Sequence, residues 1–418
     1  MQKKQEKEYD LIVIGGGPSG MMAAGTAAAN GKKVLILEKN TRLAKKLHLT
    51  GGGRCNITNA IFDTTKFLAN FGKSQQFLYS PFSQFGVQDT FDFFESRKLP
   101  LVTESKNRVF PKTQKVVDVF RVLNEYINNK NVEVIKDNQV LKMTVNKETK
   151  QIISVKAKQG TYSAENYIIA TGGVSHPETG STGDGFKWLR NMGHTVKHST
   201  PNVVPLKIAD RWVKDLSGTT ASFMKITFYV DSKKAFSETG KILFTHFGIS
   251  GPLILNLSHK VADLLQKGEV TATIDYYPDT DIGSLEKKIL NVFDKNKNKA
   301  FKNIVKEIAP PGISNALIEF HIVPNVLDKI HSISKENRKR IVQTLKAMPM
   351  HVIGLMGMDR AVISDGGIPL TEIDTKTMKS KLFNNLYLTG DIMHINRPSG
   401  GYSLQLCWTT GYVAGLLN

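Results

Sequence analysis

Six residues near the start of the chain have the spacing of a phosphate-binding turn. They read GGGPSG, and Gly15, Gly17 and Gly20 match the dinucleotide-binding pattern GxGxxG. Gly15 would allow a tight turn, Gly17 would let the backbone approach a pyrophosphate, and Gly20 would let a helix pack closely on a sheet. Glu38 follows at the distance where a carboxylate binds ribose hydroxyls. These residues predict a bound dinucleotide, and the acid favours NAD or FAD over NADP.

The residues around this turn predict the β-α-β unit that would position it. Leu11–Ile14 is a short apolar run typical of a strand buried on both faces, and Met21–Ala29 is rich in small helix formers. Gly31 would close the helix, and Lys33–Leu37 would form the second strand. The start of such a helix offers unpaired N–H groups and partial positive charge to phosphates.

Two further glycine turns lie far along the chain. Tyr167–Gly173 is an apolar strand that runs into glycines, and the C-terminal segment contains a short strand, the Gly390–Asp391 pair and a helix expected after Gly401. A long ligand that touches the first, a middle and the last strand suits FAD, whereas an NAD dehydrogenase would continue with more βαβ units. Asp391 would accept from the ribityl chain, and the helix opening near Tyr402 would direct N–H groups at the flavin N1–C2=O edge.

The composition limits the classes of protein. The 418 residues are 40% hydrophobic and 22% charged, which is typical of a globular chain with two or three domains. No apolar run reaches the roughly 18–20 residues of a membrane span, and the charged start lacks the apolar region of a secretory signal. The two cysteines, Cys55 and Cys407, indicate neither a disulfide scaffold nor zinc spacing. We expect a cytoplasmic protein with no metal and no membrane association.

The net charge of +19 raises the question of a nucleic-acid partner. Residues 287–346 contain 13 Lys and Arg against 5 Asp and Glu, but few aromatic residues lie among them, and no RNA- or DNA-binding signature is present. We therefore expect solvated lysines rather than a nucleic-acid surface, and a small-molecule substrate as the partner. The sequence leaves the oligomeric state open.

Eight segments spread over nearly the whole chain carry a family resemblance. They are GGGPSG (15–20), KKLHLTGGGRCNITN (45–59), RVFP (108–111), ATGG (170–173), LFTHFGISGP (243–252), AVISDGGI (361–368), TMKSK (377–381) and GGYSLQ (400–405). In this order they resemble the aminoacetone oxidase/BaiN-type family of FAD-binding oxidoreductases, also called YhiN-like flavoproteins. The chain departs from the family pattern at Asp391, His394–Asn396 and Ser403, where the family usually has Glu, an Asp-Gly pair and Asn.

The resemblance implies that the glycines at 51–53 lie along FAD and that Arg54 and Asn56 bond to it. Cys55 would be either a small packed residue or a reactive thiol, and we favour packing because no second cysteine lies close in sequence. For catalysis we name His246, whose alternative role is to pin a glycine turn, and Tyr402. The motifs and the resemblance together assign FAD contact to Gly15, Gly17, Pro18, Ser19, Gly20, Glu38, Lys39, Lys46, Gly52, Gly53, Arg54, Cys55, Asn56, Val140, Ala170, Thr171, Gly172, Gly390, Asp391, Gly401 and Tyr402.

The predicted fold is α/β, with a Rossmann-like, glutathione-reductase-like FAD-binding domain that contains a single nucleotide domain and an inserted β-rich domain with a small helical subdomain. We place the FAD domain at 1–195 and 355–418 and the inserted substrate domain at 196–354. The insert would be β-rich over about 196–280 and helical over about 283–346, with Pro310–Gly312 between helices. Because ligand sites form preferentially where domains meet, we expect the substrate between the two domains, over the flavin.

The predicted activity is an FAD-dependent oxidoreductase that moves a hydride between a small organic substrate and flavin N5. We slightly favour an oxidase, acting for example on an amine such as aminoacetone, with oxygen or another acceptor reoxidising the flavin. A first alternative is a reductase of an unsaturated substrate with NAD(P)H as the transient electron donor. Others are a flavin-containing RNA-binding or RNA-modifying protein and a sensor with structural FAD.

Overall fold

A computed structural model describes residues 9–309, 313–320, 322–323 and 325–418, so the predicted break at Pro310–Gly312 lies outside the described residues. The strands are β1 (Tyr9–Ile14), β2 (Val34–Leu37), β3 (Thr58–Asn59), β4 (Leu101–Glu104), β5 (Arg108–Pro111), β6 (Val132–Ile135), β7 (Val140–Asn146), β8 (Gln151–Ala157), β9 (Gly160–Tyr162), β10 (Ala164–Ile169), β11 (Lys197–Asn202), β12 (Leu206–Ile208), β13 (Thr220–Val230), β14 (Lys233–Thr245), β15 (Gly248–Ser250), β16 (Val270–Asp275), β17 (Met348–Leu355), β18 (Ile363–Gly367) and β19 (Leu386–Leu388). The helices are α1 (Pro18–Ala29), α2 (Thr64–Leu68), α3 (Gln75–Gln84), α4 (Val87–Glu95), α5 (Val116–Ile127), α6 (Asp184–Asn191), α7 (Arg211–Asp215), α8 (Pro252–Leu265), α9 (Ile282–Lys295), α10 (Phe301–Ile308), α11 (Ile313–Glu319), α12 (Lys335–Lys346) and α13 (Tyr402–Gly415).

The described residues divide into two compact units, each with its own hydrophobic core. The first unit contains residues 9–201 and 358–418, and the second contains the described part of 202–357. The second unit corresponds to the predicted insert at 196–354, and both of its boundaries lie a few residues further along the chain than predicted. At the first of them the reason is that β11 pairs with β18 and so belongs to the first unit.

The first unit is built on a five-stranded parallel sheet in the order β19-β10-β1-β2-β6. At the end of β1, Ile14 is opposite Ile169 on one side and Leu37 on the other. The chain passes from β1 through β2 to β6 and then crosses to β10 and β19, so the strand order reverses beside β1. The predicted Rossmann-like α/β fold is confirmed, and such sheets bind ligands at the carboxyl ends of the strands where the order reverses.

Helices α1 and α13 pack against each other through glycines. A Cβ atom at Gly411 would lie 2.5 Å from the Ser19 carbonyl oxygen, and one at Gly415 would lie 2.5 Å from that of Ala23. Ten of the twelve residues of α1 are buried, which its small side chains allow. This close contact fixes the two helices relative to each other, and each follows a strand of the parallel sheet.

The second unit contains a closed barrel in the order β12-β15-β14-β13-β16-β17. The prediction of a β-rich segment up to about 280 is corrected by α8, a helix of 14 residues whose apolar face is buried at Leu253, Ile254, Leu257 and Val261. Helices α9 to α12 follow, and β17 then closes the barrel by pairing with β12 and β16. The barrel therefore needs a strand from beyond the helical segment.

Candidate functional site

A cavity opens at the carboxyl end of the parallel sheet, beside the point where the strand order reverses. Its wall is formed by the turn after β1, the segments 37–50 and 170–184, and the start of α13. All of these segments belong to the first unit.

The turn between β1 and α1 forms one end of the wall. Gly15 has a φ of +106°, and a Cβ there would lie 2.6 Å from the Ala170 carbonyl oxygen, so only glycine fits. A Cβ at Gly17 would meet no described protein atom within 4 Å, and Gly17 lines the cavity. Helix α1 begins there without a side-chain cap and without an acidic residue in its first turn. Its first N–H groups are therefore available to an anion in the cavity.

Gly20 has a different task in the same helix. A Cβ at this position would lie 2.0 Å from the Gly15 carbonyl oxygen, so the missing side chain allows α1 to approach the end of β1. Gly20 does not line the cavity. Its contribution is the position of the helix, as the sequence predicts.

Glu38, at the end of β2, organises the same turn and lines the cavity. Its Oε2 accepts from the Gly16 N–H at 2.7 Å, and its Oε1 accepts from the Asn40 backbone N–H at 2.8 Å. Glu38 is only 7% exposed, so these bonds hold its carboxylate in one orientation at the carboxyl end of β2. Oε1 also accepts from the Asn40 side-chain amide at 2.7 Å, so Oε2 is the oxygen that keeps a second lone pair for a ligand hydroxyl.

Residues 174–184, which we call the strap, are tied to the segment after β2. Lys39 pairs with Asp184 at 2.9 Å and donates to Thr182 at 2.5 Å. Lys45 donates to the Glu178 carbonyl at 2.8 Å, while Asn40 donates to the carbonyl of Thr179 at 3.1 Å. Burial alone would raise the pKa of Asp184, but the Lys39 charge and hydrogen bond outweigh burial and lower it.

The opposite end of the wall carries a buried charged group. Lys46 donates to Ser175 at 3.1 Å, and Arg397 donates to Asp391. Burial lowers the pKa of Lys46 from its usual value, against the opposing charge of Asp391. Burial would raise the pKa of Asp391, but the charges of Arg397 and Lys46 more than offset this and lower it. Burial raises the pKa of the neighbouring Cys407 thiol to about 12, so this thiol is neutral.

Helix α13 begins at this charged end. Gly401 precedes it with a φ of +103°, and a Cβ there would lie 2.2 Å from the Thr58 carbonyl oxygen. The helix has no side-chain cap and no acidic residue in its first turn, and Ser403 and Leu404 line the cavity. Tyr402 instead packs among aromatic rings, 4.9 Å from the ring of Phe67, and is buried. Two uncapped helix starts, those of α1 and α13, therefore contribute to the wall of one cavity.

The segment Gly51–Asn56 lies outside the cavity wall. The three glycines have φ angles of +57°, +66° and +85°, a region of backbone conformation that favours glycine independently of any ligand. The Arg54 guanidinium pairs with Glu104 at 3.0 Å and lies over the Phe110 ring at 4.0 Å. Asn56, with its amide oriented to accept, receives the Gly401 N–H at 3.0 Å. This segment therefore supports the start of α13.

Cys55 lies in the same segment and is fully buried. Burial raises the pKa of its thiol to about 12. The backbone there has a φ of +65°, and its N–H donates to the Thr50 carbonyl at 3.1 Å. These features match those of a packed residue rather than of a reactive thiolate.

Comparison with known proteins adds to this geometry. Residues 9–417 match the HI0933-like protein Rossmann domain family. The chain belongs to this family. The family consists of FAD-dependent oxidoreductases, so the chain is an FAD-dependent enzyme of this class.

Several members and structural relatives are similar to the chain over nearly its whole length. It is 28% identical to the 3-dehydro-bile acid delta(4,6)-reductase of Clostridium scindens (strain ATCC 35704 / DSM 5676 / VPI 13733 / 19), over 96% of this chain and 97% of that protein. It is 24% identical to the ribosomal RNA dihydrouridine synthase of Escherichia coli (strain K12), over 97% of each. The 3-ketosteroid-delta4-(5alpha)-dehydrogenase of Rhodococcus jostii RHA1 matches with a TM-score of 0.54 at 13% identity, over 100% of this chain and 98% of that chain, which shows a shared fold.

The cavity fits the cofactor of the HI0933-like family. A glycine cradle at Gly17 and the uncapped start of α1 suit a pyrophosphate. The carboxylates of Glu38 and Asp391 suit the hydroxyls of a ribose and a ribityl chain. The second uncapped helix start, at α13, suits the electron-rich edge of a flavin ring.

The structure brings many of the predicted residues together but not all of them. Those that line the cavity are Gly15, Gly17, Pro18, Ser19, Glu38, Lys39, Lys46, Val140, Ala170, Thr171, Gly172 and Asp391. Those that do not line it are Gly20, Gly52, Gly53, Arg54, Cys55, Asn56, Gly390, Gly401 and Tyr402. Within the second group, Gly20 acts on the wall through helix packing, and Asn56 and Gly401 act through the turn before α13.

Several residues of the wall were absent from the sequence prediction. They are Ile14, Leu37, Asn40, Ala44, Lys45, Leu47, Thr50, Gln139, Thr179, Gly180, Ser181, Asp184, Trp188, Val362, Ser403, Leu404 and Cys407. Some of them could have been predicted because they adjoin a predicted residue in the sequence, as Asn40 adjoins Lys39. The strap had one signal, the STGDG run after ATGG, whose small residues indicate a tight turn before a helix.

His246 lies in the second unit, in the turn between β14 and β15, where it is exposed and its ring is 4.9 Å from that of Phe247. Its catalytic role stays a prediction. Among the described residues, none of the helices is long and apolar enough to cross a bilayer. The same part of the chain contains no group of three or more His, Cys, Asp or Glu placed to hold a metal ion.

Proposed function

We propose that this protein is an FAD-dependent reductase that delivers a hydride to a carbon–carbon double bond conjugated with a carbonyl group. The observation that carries the proposal is similarity over 96% and 97% of the chain to two proteins named for such reductions, a bile-acid delta(4,6)-reductase and a dihydrouridine synthase. The sequence alone slightly favours an oxidase. These relatives favour hydride transfer in the other direction.

The chain's own residues would bind and orient the cofactor. The N–H groups at the start of α1 would bind the pyrophosphate, Glu38 would accept from the ribose, and Asp391 would accept from the ribityl chain. The backbone of Ser403 and Leu404 would direct N–H groups at the ring. Bound FAD supplies hydride transfer at N5, and the protein's share of the rate comes from positioning the two reactants.

An anaerobic half-reaction experiment tests the direction of transfer. The FAD-loaded protein is mixed in turn with NADH, NADPH and a panel of small amines that includes aminoacetone, and the visible flavin band is followed. We expect bleaching by a reduced nicotinamide and reoxidation by a cyclic enone or by uridine-containing RNA. Bleaching by an amine, followed by peroxide formation in air, would instead restore the oxidase.

A Gly17→Val variant provides the control for flavin dependence. Its side chain would extend into the cavity, where a Cβ has no described protein neighbour within 4 Å. Both half-reactions should disappear together with bound FAD. Activity that persists in the FAD-free variant would show that the signal does not come from this site.

We further propose RNA as the molecule that carries the double bond, although the sequence alone favours solvated lysines, because one relative is named for an RNA substrate and the second unit contains a basic segment. Residues 287–346 contain 13 Lys and Arg against 5 Asp and Glu. The rest of that unit contains nine Lys and Arg and ten Asp and Glu. Exposed lysines of this segment include Lys288 on α9, Lys302 on α10 and Lys339 on α12. A basic segment of this kind can neutralise phosphates. The similarity to a ribosomal RNA dihydrouridine synthase supports the same substrate class.

Salt dependence distinguishes the RNA substrate from a free small molecule. Replacing Lys288, Lys302 and Lys339 with Gln should reduce the slope of log affinity for ribosomal RNA against log salt by about 0.7–0.9 per lost phosphate contact. Replacing the exposed Lys142, Lys147 and Lys150 of the first unit provides a charge-matched control. Equal slopes in both triple variants, or no RNA binding at physiological salt, would leave a small enone as the substrate.

A further inference from the structure

Arg397 is a buried cation behind the wall of the cavity. Its side chain is 1% exposed, and it donates to the Asp391 carboxylate, to the Ser403 hydroxyl at 3.0 Å and to the Ile395 carbonyl at 2.7 Å. Two of these partners, Asp391 and Ser403, line the cavity, whereas Arg397 itself does not. The guanidinium thus holds the two residues that face a ligand at the start of α13.

The charges around this point leave an excess of positive potential. The Arg397 guanidinium carries one positive charge. Asp391 balances it, and the Cys407 thiol is neutral. Lys46 on the same wall adds a second cation whenever it is protonated, and the uncapped start of α13 adds the positive end of a helix dipole.

We propose that Arg397 is a positioning residue that sets the positive potential at the α13 end of the cavity and thereby stabilises negative charge on the N1–C2=O edge of the bound flavin. The residue acts through Asp391 and Ser403, which it holds in place, and through its own charge. The inference rests on FAD lying in this cavity. It does not depend on whether the enzyme is a reductase or an oxidase.

Sulfite provides a chemical readout of this potential that needs no substrate. Its sulfur lone pair adds to N5 of oxidised flavin to form an N–S bond, and the negative charge moves to the N1–C2=O edge. Both electrons of the new bond come from sulfite, so no other oxidant or reductant takes part. The charge that results is the same as after hydride transfer to N5, so sulfite affinity and midpoint potential should change together.

The test compares Arg397→Gln, Arg397→Lys and Asp391→Asn with the unmodified protein, all on the FAD-loaded fraction. Removing one unit charge should weaken sulfite binding about tenfold and lower the midpoint potential in Arg397→Gln, because the charge is buried and therefore poorly screened by solvent. Arg397→Lys keeps the charge and should restore most of the affinity. Asp391→Asn removes the balancing carboxylate and should change both quantities in the opposite direction.

The opposite signs separate electrostatics from loss of structure, because a disrupted site would weaken sulfite binding in both neutral variants. If Arg397→Gln retains no FAD, the Lys and Asn variants still decide the matter. Equal sulfite affinity and potential in all proteins, weaker sulfite binding in Asp391→Asn, or no sulfite adduct in the unmodified protein would each overturn the proposal. Each of these readouts is independent of the turnover assays that test the reductase.

Discussion

Gly17 and Gly20 lie three residues apart in one turn, yet the structure gives them different reasons to be glycine. A Cβ at Gly17 would meet no described atom within 4 Å but would enter the cavity, whereas a Cβ at Gly20 would lie 2.0 Å from the Gly15 carbonyl oxygen. We therefore expect Gly17→Ala to impair FAD binding while the fold stays intact. Gly20→Ala should first destabilise the protein.

The size of each effect follows from this geometry. In Gly20→Ala the helix must move by about 1.4–2 Å to reach ordinary contact distance, and such overpacking costs about 1–3 kcal/mol. This should lower the melting temperature of the FAD-free protein by about 2–10 °C. In Gly17→Ala the backbone has a φ of −79°, which alanine adopts freely, so the cost is at most about 1 kcal/mol from the weaker helix cap. A methyl group against the pyrophosphate should weaken FAD binding by about tenfold to hundredfold, roughly 1.4–2.8 kcal/mol.

Two measurements on FAD-free protein distinguish the variants. Urea unfolding gives the free energy of unfolding, and titration with FAD, followed by quenching of flavin fluorescence, gives the affinity. The unmodified protein and both variants are compared at the same pH and salt. The reasoning is refuted if Gly17→Ala binds FAD as tightly as the unmodified protein, or if Gly20→Ala unfolds at the same urea concentration.

Three further outcomes are expected. Asp184→Asn removes the ion pair with Lys39 that holds the strap in place, so bound FAD should exchange with free FAD up to about fivefold faster. Displacement of bound FAD by a labelled flavin measures this exchange rate, and an unchanged rate would contradict the role of the ion pair. Burial lowers the pKa of His194, although the hydrogen bond and charge of Glu372 act to raise this pKa. Below about pH 6.5 the unfolded chain therefore binds more protons than the folded protein, and the free energy of unfolding should fall as the pH is lowered. Urea unfolding at several pH values should show a flatter pH dependence in His194→Gln. The Cys55 thiol, with a pKa of about 12, should react with a thiol reagent only after unfolding, which a timed thiol titration would show.

The sequence predicted the parts of the fold that depend on local interactions. The strand, glycine turn, helix and second strand from Tyr9 to Leu37 follow from apolar periodicity and from glycine spacing, and the structure has them within a few residues. The strand at Leu386–Leu388 and the helix after Gly401 follow in the same way. In each case the signal lies within a few neighbouring residues.

The rest of the site depends on pairs that are far apart in sequence. Arg54 is a strong candidate for a ligand until its partner Glu104, fifty residues away, is known. Arg397 carries no motif, and its importance appears only when the fold places it beside Asp391. Helix α8 was missed because the strands on both sides of it dominate the local pattern. Contacts of this kind are set by tertiary packing, which propensity does not encode.

The discontinuous order of the parallel sheet has a consequence for biosynthesis. Strand β10 needs β19 as its neighbour, and α1 needs α13, but both partners are translated only after the whole second unit. At about 5–20 residues per second, the ribosome takes roughly ten to fifty seconds to travel from β10 to the end of α13. During that time the barrel can fold while the nascent nucleotide unit still exposes an unpaired strand edge. Loading of FAD should therefore be among the last events in the maturation of this enzyme.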